Sequence, residues 1–108
     1  MSAITTHVLD TSHGVPATGV RVTLDVRFPD GAWKTLGKAV TDADGRARDL
    51  LPEGMALTEA IYRLTFDNLP EDGLYPTVTI AFRVRDTARH YHLPLLLSRY
   101  GYTTYRGS

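Results

Sequence analysis

Between positions 20 and 28 the chain reads VRVTLDVRF, so that Val20, Val22, Leu24, Val26 and Phe28 fall on one side of an extended backbone and Arg21, Thr23, Asp25 and Arg27 on the other. A period of two marks a β-strand with one face on a core. The same alternation returns in TVTIAFRVR at 77–85, with Val78, Ile80, Phe82 and Val84 opposed to Thr79, Ala81, Arg83 and Arg85. Half-buried antiparallel sheets carry this pattern. Weaker strand signals run over 4–9, 33–41, 61–66 and 90–97, with a last one in the closing TTYR. Between them stand Asp10 to Gly14, Pro29-Asp30-Gly31, Asp42 to Gly45 and Pro70 to Gly73, each rich in the residues that bend a chain. Seven or eight short strands with such punctuation predict an all-β sandwich. At most one short helix is expected, over PEGMALTEA at 52–60, where Pro52 and Glu53 suit a first turn and Gly54 weakens it.

The chain has 108 residues, which predicts one domain over 1–108. Twelve basic side chains balance twelve acidic ones and form no cluster, so nucleic acid is not an expected partner. No apolar run is long enough to span a bilayer, and MSAITTHVLD lacks the features of a secretory leader. Membranes are therefore not expected partners, and the cytoplasm is the expected compartment. The absence of cysteine removes disulfides, thiolate nucleophiles and Cys-based zinc sites, leaving His, Arg, Tyr and carboxylates for chemistry.

TDADGR at 41–46 looks like a calcium loop, but with Gly45 at the sixth loop position Val40 and Leu51 fall where carboxylates are required. A tight turn is expected instead, with Asp side chains accepting from local amides and Gly45 supplying positive φ. It leaves Arg46 just past the turn, able to point into a neighbouring groove. His90 and His92 are two apart in an expected strand and so share a face, and with His7 they offer three nitrogens to zinc. Chance proximity of surface histidines is the simpler reading, and His13 in a Gly-containing turn looks like such a residue. No G-x-S-x-G elbow and no Gly-rich phosphate loop is present. Leu95, Leu96 and Leu97 read as core or interface packing.

In order along the chain, THVLDTSHGVPATGV (6–20), TDADGR (41–46), HYHLPLLLS (90–98) and the terminal YRGS (105–108) form a set. With these segments the chain resembles the transthyretin-related 5-hydroxyisourate hydrolases. The resemblance implies a prealbumin-like sandwich, a homotetramer with active sites where dimers meet, and no cofactor or metal. It implies hydrolytic opening of 5-hydroxyisourate, the product of urate oxidation, to 2-oxo-4-hydroxy-4-carboxy-5-ureidoimidazoline. Carried over by position, the catalytic set is His7, Arg46, His92 and Ser108, and the substrate-binding set is His7, Arg46, Tyr105, Arg106 and Gly107. The hormone carriers of the same resemblance have Lys and Thr where this chain has His7 and His92, and lack the YRGS ending. Between IYRLTF and TVTIAF relatives carry a short helix, whereas DNLPEDGLYP is shorter and holds two prolines, so that helix is expected to be reduced or lost.

These side chains suit the implied reaction. An imidazole titrates near neutrality and can take a proton from water, so His7 or His92 is the expected base. Arg46 offers a planar fork of donors to orient a flat heterocycle. A docked terminal strand brings Tyr105 and the last residues toward His7 and His92. Two alternatives remain open: a non-catalytic carrier of aromatic molecules in the same channel, and a zinc hydrolase using His7, His90 and His92.

Overall fold

The computed structural model describes residues 3–107, all of them in strands, turns and loops with no helix. Nine strands follow in chain order: β1 (Ile4–Asp10), β2 (Val15–Pro16), β3 (Arg21–Arg27), β4 (Trp33–Val40), β5 (Arg46–Ala47), β6 (Ala60–Asp67), β7 (Val78–Val84), β8 (Tyr91–Leu97) and β9 (Tyr102–Thr104). One sheet is ordered β2-β1-β8-β9, with β5 also pairing to β1; the other is β4-β3-β6-β7. All pairings are antiparallel except β1 with β8, a parallel ladder running from Ile4 opposite Tyr91 to Asp10 opposite Leu97.

The alternation read from the sequence is the alternation of burial. Val22 and Leu24 on β3 and Val78 and Val84 on β7 point into the space between the sheets, with Ile80 and Phe82 packed at its margin. They meet Ile4 and Val8 of β1 and Leu93, Leu95 and Leu97 of β8. Removing this apolar surface from water is the main driving force holding the sheets together. Phe28 departs from the pattern and is 45% exposed. β3 ends one residue earlier, and Phe28 closes the hairpin instead, its N–H donating to Ala32 O at 2.7 Å and its carbonyl accepting from Gly31 N–H at 2.9 Å.

No helix forms over 52–60. Gly54 sits at φ +82°, in the left-handed region, and Met55 N–H turns back to Pro52 O at 3.0 Å, so the segment makes one turn and stops. The stretch between β6 and β7 also lacks a helix, as its shortness predicted. It is held by Asn68, at φ 61°, whose side-chain amide donates to Gly19 O, and by Leu69, which is buried. The two-residue strands β2 and β5 were too short to show a period. They lie on the same edge of β1.

His13 is not an idle surface residue. Its Nδ1 lies 2.8 Å from Asp10 Oδ2 and its Nε2 lies 3.2 Å from Asp72 Oδ2, so it ties the end of β1 to the loop after β6. Both ring nitrogens can donate at once only in the imidazolium, and the hydrogen bond to Asp10 is the leading reason its pKa is raised above 6.5. A group with a raised folded-state pKa stabilises the fold below its unfolded value, and that contribution fades as pH rises through the raised one. We therefore expect His13→Ala to lower the melting temperature at pH 6 and to have a smaller effect at pH 9, measured by calorimetry across that range.

Candidate active site

Side chains alternate along β1, so the strand that sends Ile4, Thr6 and Val8 inward presents Thr5, His7 and Leu9 on the outer face. On β8, Leu93, Leu95 and Leu97 point inward, and His92 and Pro94 accordingly face outward. The register then assembles the polar groups. His7 is directly opposite Arg46 on β5, and Thr5 is directly opposite His92 on β8. His7, Arg46 and His92 are each half-buried on this face.

Arg46 is placed by the turn before it. One carboxylate oxygen, Asp42 Oδ1, accepts from Asp44 N–H at 2.9 Å and from Arg46 N–H at 3.0 Å, while Asp42 N–H donates to Arg46 O at 3.0 Å. These amides, Arg46's foremost, hold the Asp42 carboxyl below its ordinary pKa. Gly45 has φ +77°, and a Cβ there would stand 2.4 Å from Val8 O. No other residue allows the turn to lie this close to β1, where Val8 N–H donates to Gly45 O at 2.7 Å. The turn behaves as its sequence predicted.

The same turn orients His7. Its Nε2 lies 2.7 Å from Asp44 O, and because a carbonyl only accepts, Nε2 carries the hydrogen. The neutral ring therefore keeps its lone pair on Nδ1. His92 is placed differently: Nδ1 is 2.8 Å from the Thr5 hydroxyl, leaving Nε2 as its other polar atom. Its pKa is lowered from 6.5, first by burial and then by the positive charges of Arg46, His90 and His7. The lowered pKa of His92 favours its neutral ring, with a lone pair, beside the permanent cation of Arg46.

The segment after β9 returns along β8. Gly107 N–H donates to His92 O at 2.7 Å, and a Cβ on Gly107 would meet His92 Cδ2 at 2.8 Å. The absence of a side chain here is what lets the main chain lie against the ring. Arg106 turns elsewhere: its guanidinium stacks 4.2 Å above the ring of Tyr91, and its Nη2 donates to His90 O at 3.2 Å. Its place is that of a clamp on the terminal segment. Tyr105 is 54% exposed. Ser108 lies outside the described residues. Among the described residues no group of three or more His, Asp or Glu is arranged to hold a metal. His90 Nε2 and His92 Nδ1 instead converge on the Thr5 hydroxyl, a residue that sequence reasoning missed because a strand threonine carries no signal of its own. A depression of about 810 Å³ lined by Arg27, Glu59 and Arg85 among others holds none of these residues.

Two facing sheets in this strand order, with a polar imidazole and guanidinium cluster on an outer face, define a prealbumin-like sandwich. Residues 4–107 match the family described as HIUase/Transthyretin, and the chain belongs to that family. A 5-hydroxyisourate hydrolase of Salmonella dublin is 40% identical over 97% of this chain and 80% of its own length. Among solved structures, Klebsiella pneumoniae 5-hydroxyisourate hydrolase superposes with a TM-score of 0.79 at 33% identity, each chain covered in full. Sea bream transthyretin in complex with thyroxine gives 0.86 at 29% identity, covering 97% of this chain and 94% of that one.

The site makes a titration prediction. Followed by NMR, the His92 midpoint is expected below 6.5, and Arg46→Ala is expected to move it upward by removing one of the charges that depress it. A midpoint unmoved by that substitution contradicts the placement of Arg46 beside His92.

Proposed function

We propose that this protein hydrolyses 5-hydroxyisourate to 2-oxo-4-hydroxy-4-carboxy-5-ureidoimidazoline, with His7, Arg46 and His92 at the reacting centre. The observation that carries the reading is the convergence of two imidazoles and one guanidinium on the outer face, from β1, β5 and β8. Relatives bearing the hydrolase name at 40% identity support it.

In the proposed reaction a water oxygen adds to a ring-amide carbonyl as an imidazole takes its proton. The C–N bond then breaks, the ring nitrogen takes a proton and the new acid leaves as a carboxylate. His7 Nδ1 and His92 Nε2 are the candidate bases, since the other nitrogen of each ring is engaged by Asp44 O or by Thr5. The Arg46 fork holds the flat substrate by its oxygens and stabilises the developing oxyanion. Gly107 sets the backbone against His92, with Arg106 clamping the segment and Tyr105 at its exposed rim. Ser108 completes the proposed set.

The reacting face is open in a single protomer, and chemistry of this kind gains from exclusion of water. We infer that copies of the chain close it in a homotetramer, with sites where dimers meet, acting on a small molecule without a cofactor. The domain is proposed to span 1–108 and to work in the cytoplasm. Among the described residues no helix is long and apolar enough to cross a membrane.

A carrier role is the second reading, favoured by the higher TM-score with a thyroxine-bound transthyretin. Backbone likeness does not separate carrier from hydrolase; His7 and His92 on the outer face support the hydrolase. Urate and a urate oxidase with the purified protein added are expected to show faster decay of hydroxyisourate absorbance. His7→Ala and His92→Ala should each lower kcat/KM by about 10²-fold or more. Gly107→Ala, which displaces the His92 ring, is expected to cost about tenfold or more while the far-ultraviolet circular dichroism is unchanged. Saturable binding of aromatic ligands without any acceleration by a folded tetramer supports the carrier instead.

A further inference from the structure

Thr5 is 4% exposed, and its hydroxyl oxygen stands between two imidazoles, 2.8 Å from His92 Nδ1 and 3.0 Å from His90 Nε2. The rings lie nearly parallel, at 25°, with centroids 6.4 Å apart. A hydroxyl has one hydrogen and can give it to only one of these nitrogens. If it donates to His90, then His92 must meet it with Nδ1–H; if it donates to His92, then His90 must meet it with Nε2–H. A neutral imidazole carries a single N–H, so the choice at Nδ1 of His92 decides what Nε2 presents to substrate.

We propose that Thr5 is a positioning residue that couples the tautomer of His92 to the protonation of His90. With His90 Nε2 bare, Thr5 donates to it, His92 Nδ1–H donates to Thr5, and His92 Nε2 is a lone pair ready to act as base. With His90 an imidazolium, its Nε2–H donates to Thr5, Thr5 turns its hydrogen to His92 Nδ1, and His92 Nε2–H becomes a donor. The relay also accounts for a proton gained in the reaction. When His92 Nε2 accepts a proton from water, the Nδ1 proton can pass to Thr5 Oγ1 as the Thr5 proton passes to His90 Nε2. The net result is a neutral His92 bearing Nε2–H and a protonated His90, with the charge moved off the ring that Arg46 and His7 disfavour. That last step rests on the hydrolase reading, whereas the tautomer coupling does not.

The groups facing this relay are His7 on β1, Arg46 on β5 and, from the terminal segment, Arg106, whose guanidinium holds the His90 carbonyl. Arg89 next to His90 is paired with Asp86. None of these stands between Thr5 and the two rings in the hydrogen bonds made by Oγ1.

The test is nitrogen-15 NMR of the imidazoles of the full-length protein across pH, with no substrate present. Expected are a His92 Nδ1–H tautomer while His90 is neutral and conversion to Nε2–H with the same midpoint as His90's own titration. Thr5→Ser should preserve the coupling. Thr5→Val should abolish it, and His90→Gln, at an exposed position, should leave His92 in a pH-independent tautomer even if the valine variant folds poorly. In the coupled assay Thr5→Val should lower kcat about tenfold or more with little change in KM and alter the acid limb of the pH profile, with rescue by Thr5→Ser. A His92 tautomer that ignores the titration of His90 in the unmodified protein, or both nitrogens donating to a hydroxyl turned away, overturns the proposal even if hydrolysis is observed. Coupled tautomers in a protein that does not hydrolyse the substrate overturn the functional reading and leave the relay standing.

Discussion

The parallel ladder between β1 and β8 is the constraint on which the rest depends. It joins residues more than eighty positions apart, from Ile4 with Tyr91 to Asp10 with Leu97. Strand pairing fixes register to the residue, because a slip by one would send the apolar set to solvent and the polar set inward. The packing of Ile4, Val8, Leu93 and Leu95 against the second sheet thereby also dictates that Thr5 meets His92 and that His7 lies one row further along. The hydrophobic core thus positions the polar groups of the candidate site on the opposite face of the same strands.

Three local devices refine that frame. Asp42 and Gly45 bring the turn against β1, which seats Arg46 opposite His7 and lends Asp44 O to the ring. Thr5 holds His92 from one side, and the main chain of Gly107 lies against it from the other. Arg106, stacked on Tyr91, keeps that terminal segment in place. Each acts through a hydrogen bond, a stacked guanidinium or a missing Cβ, so each can be lost by a single substitution.

What the sequence displays is the part of this arrangement that has a period or a turn. The alternation in β3 and β7 is visible because one face is apolar and the other polar, and the turn at 41–46 because Asp and Gly have local work there. The parallel sense of β1 and β8 leaves no such trace, nor do β2 and β5, each of two residues. Phe28 misleads because period alone does not reveal where a hairpin closes. For the site, His-x-His announces a shared face but not its partners. The set His7, Arg46 and His92 became readable through family resemblance, which also pointed to Arg106 without showing that its side chain turns to Tyr91. Thr5 and His13 take their meaning from neighbours distant in sequence, and neither residue type signals that by itself.

Synthesis runs from β1 toward β8, and the long parallel ladder gives that order a physical consequence. Among these strands β1 is made first, yet its central partner is made only after β3, β4, β6 and β7, which can already have paired as neighbours. Until then one edge of β1 offers bare amides and carbonyls above an uncovered apolar face, the condition under which strands pair with the wrong chain. Long-range pairing of this kind is also slow to form, because loop closure is costly before its contacts can repay it. The strand that supplies His7 to the site is therefore open to misassembly until β8 has been made.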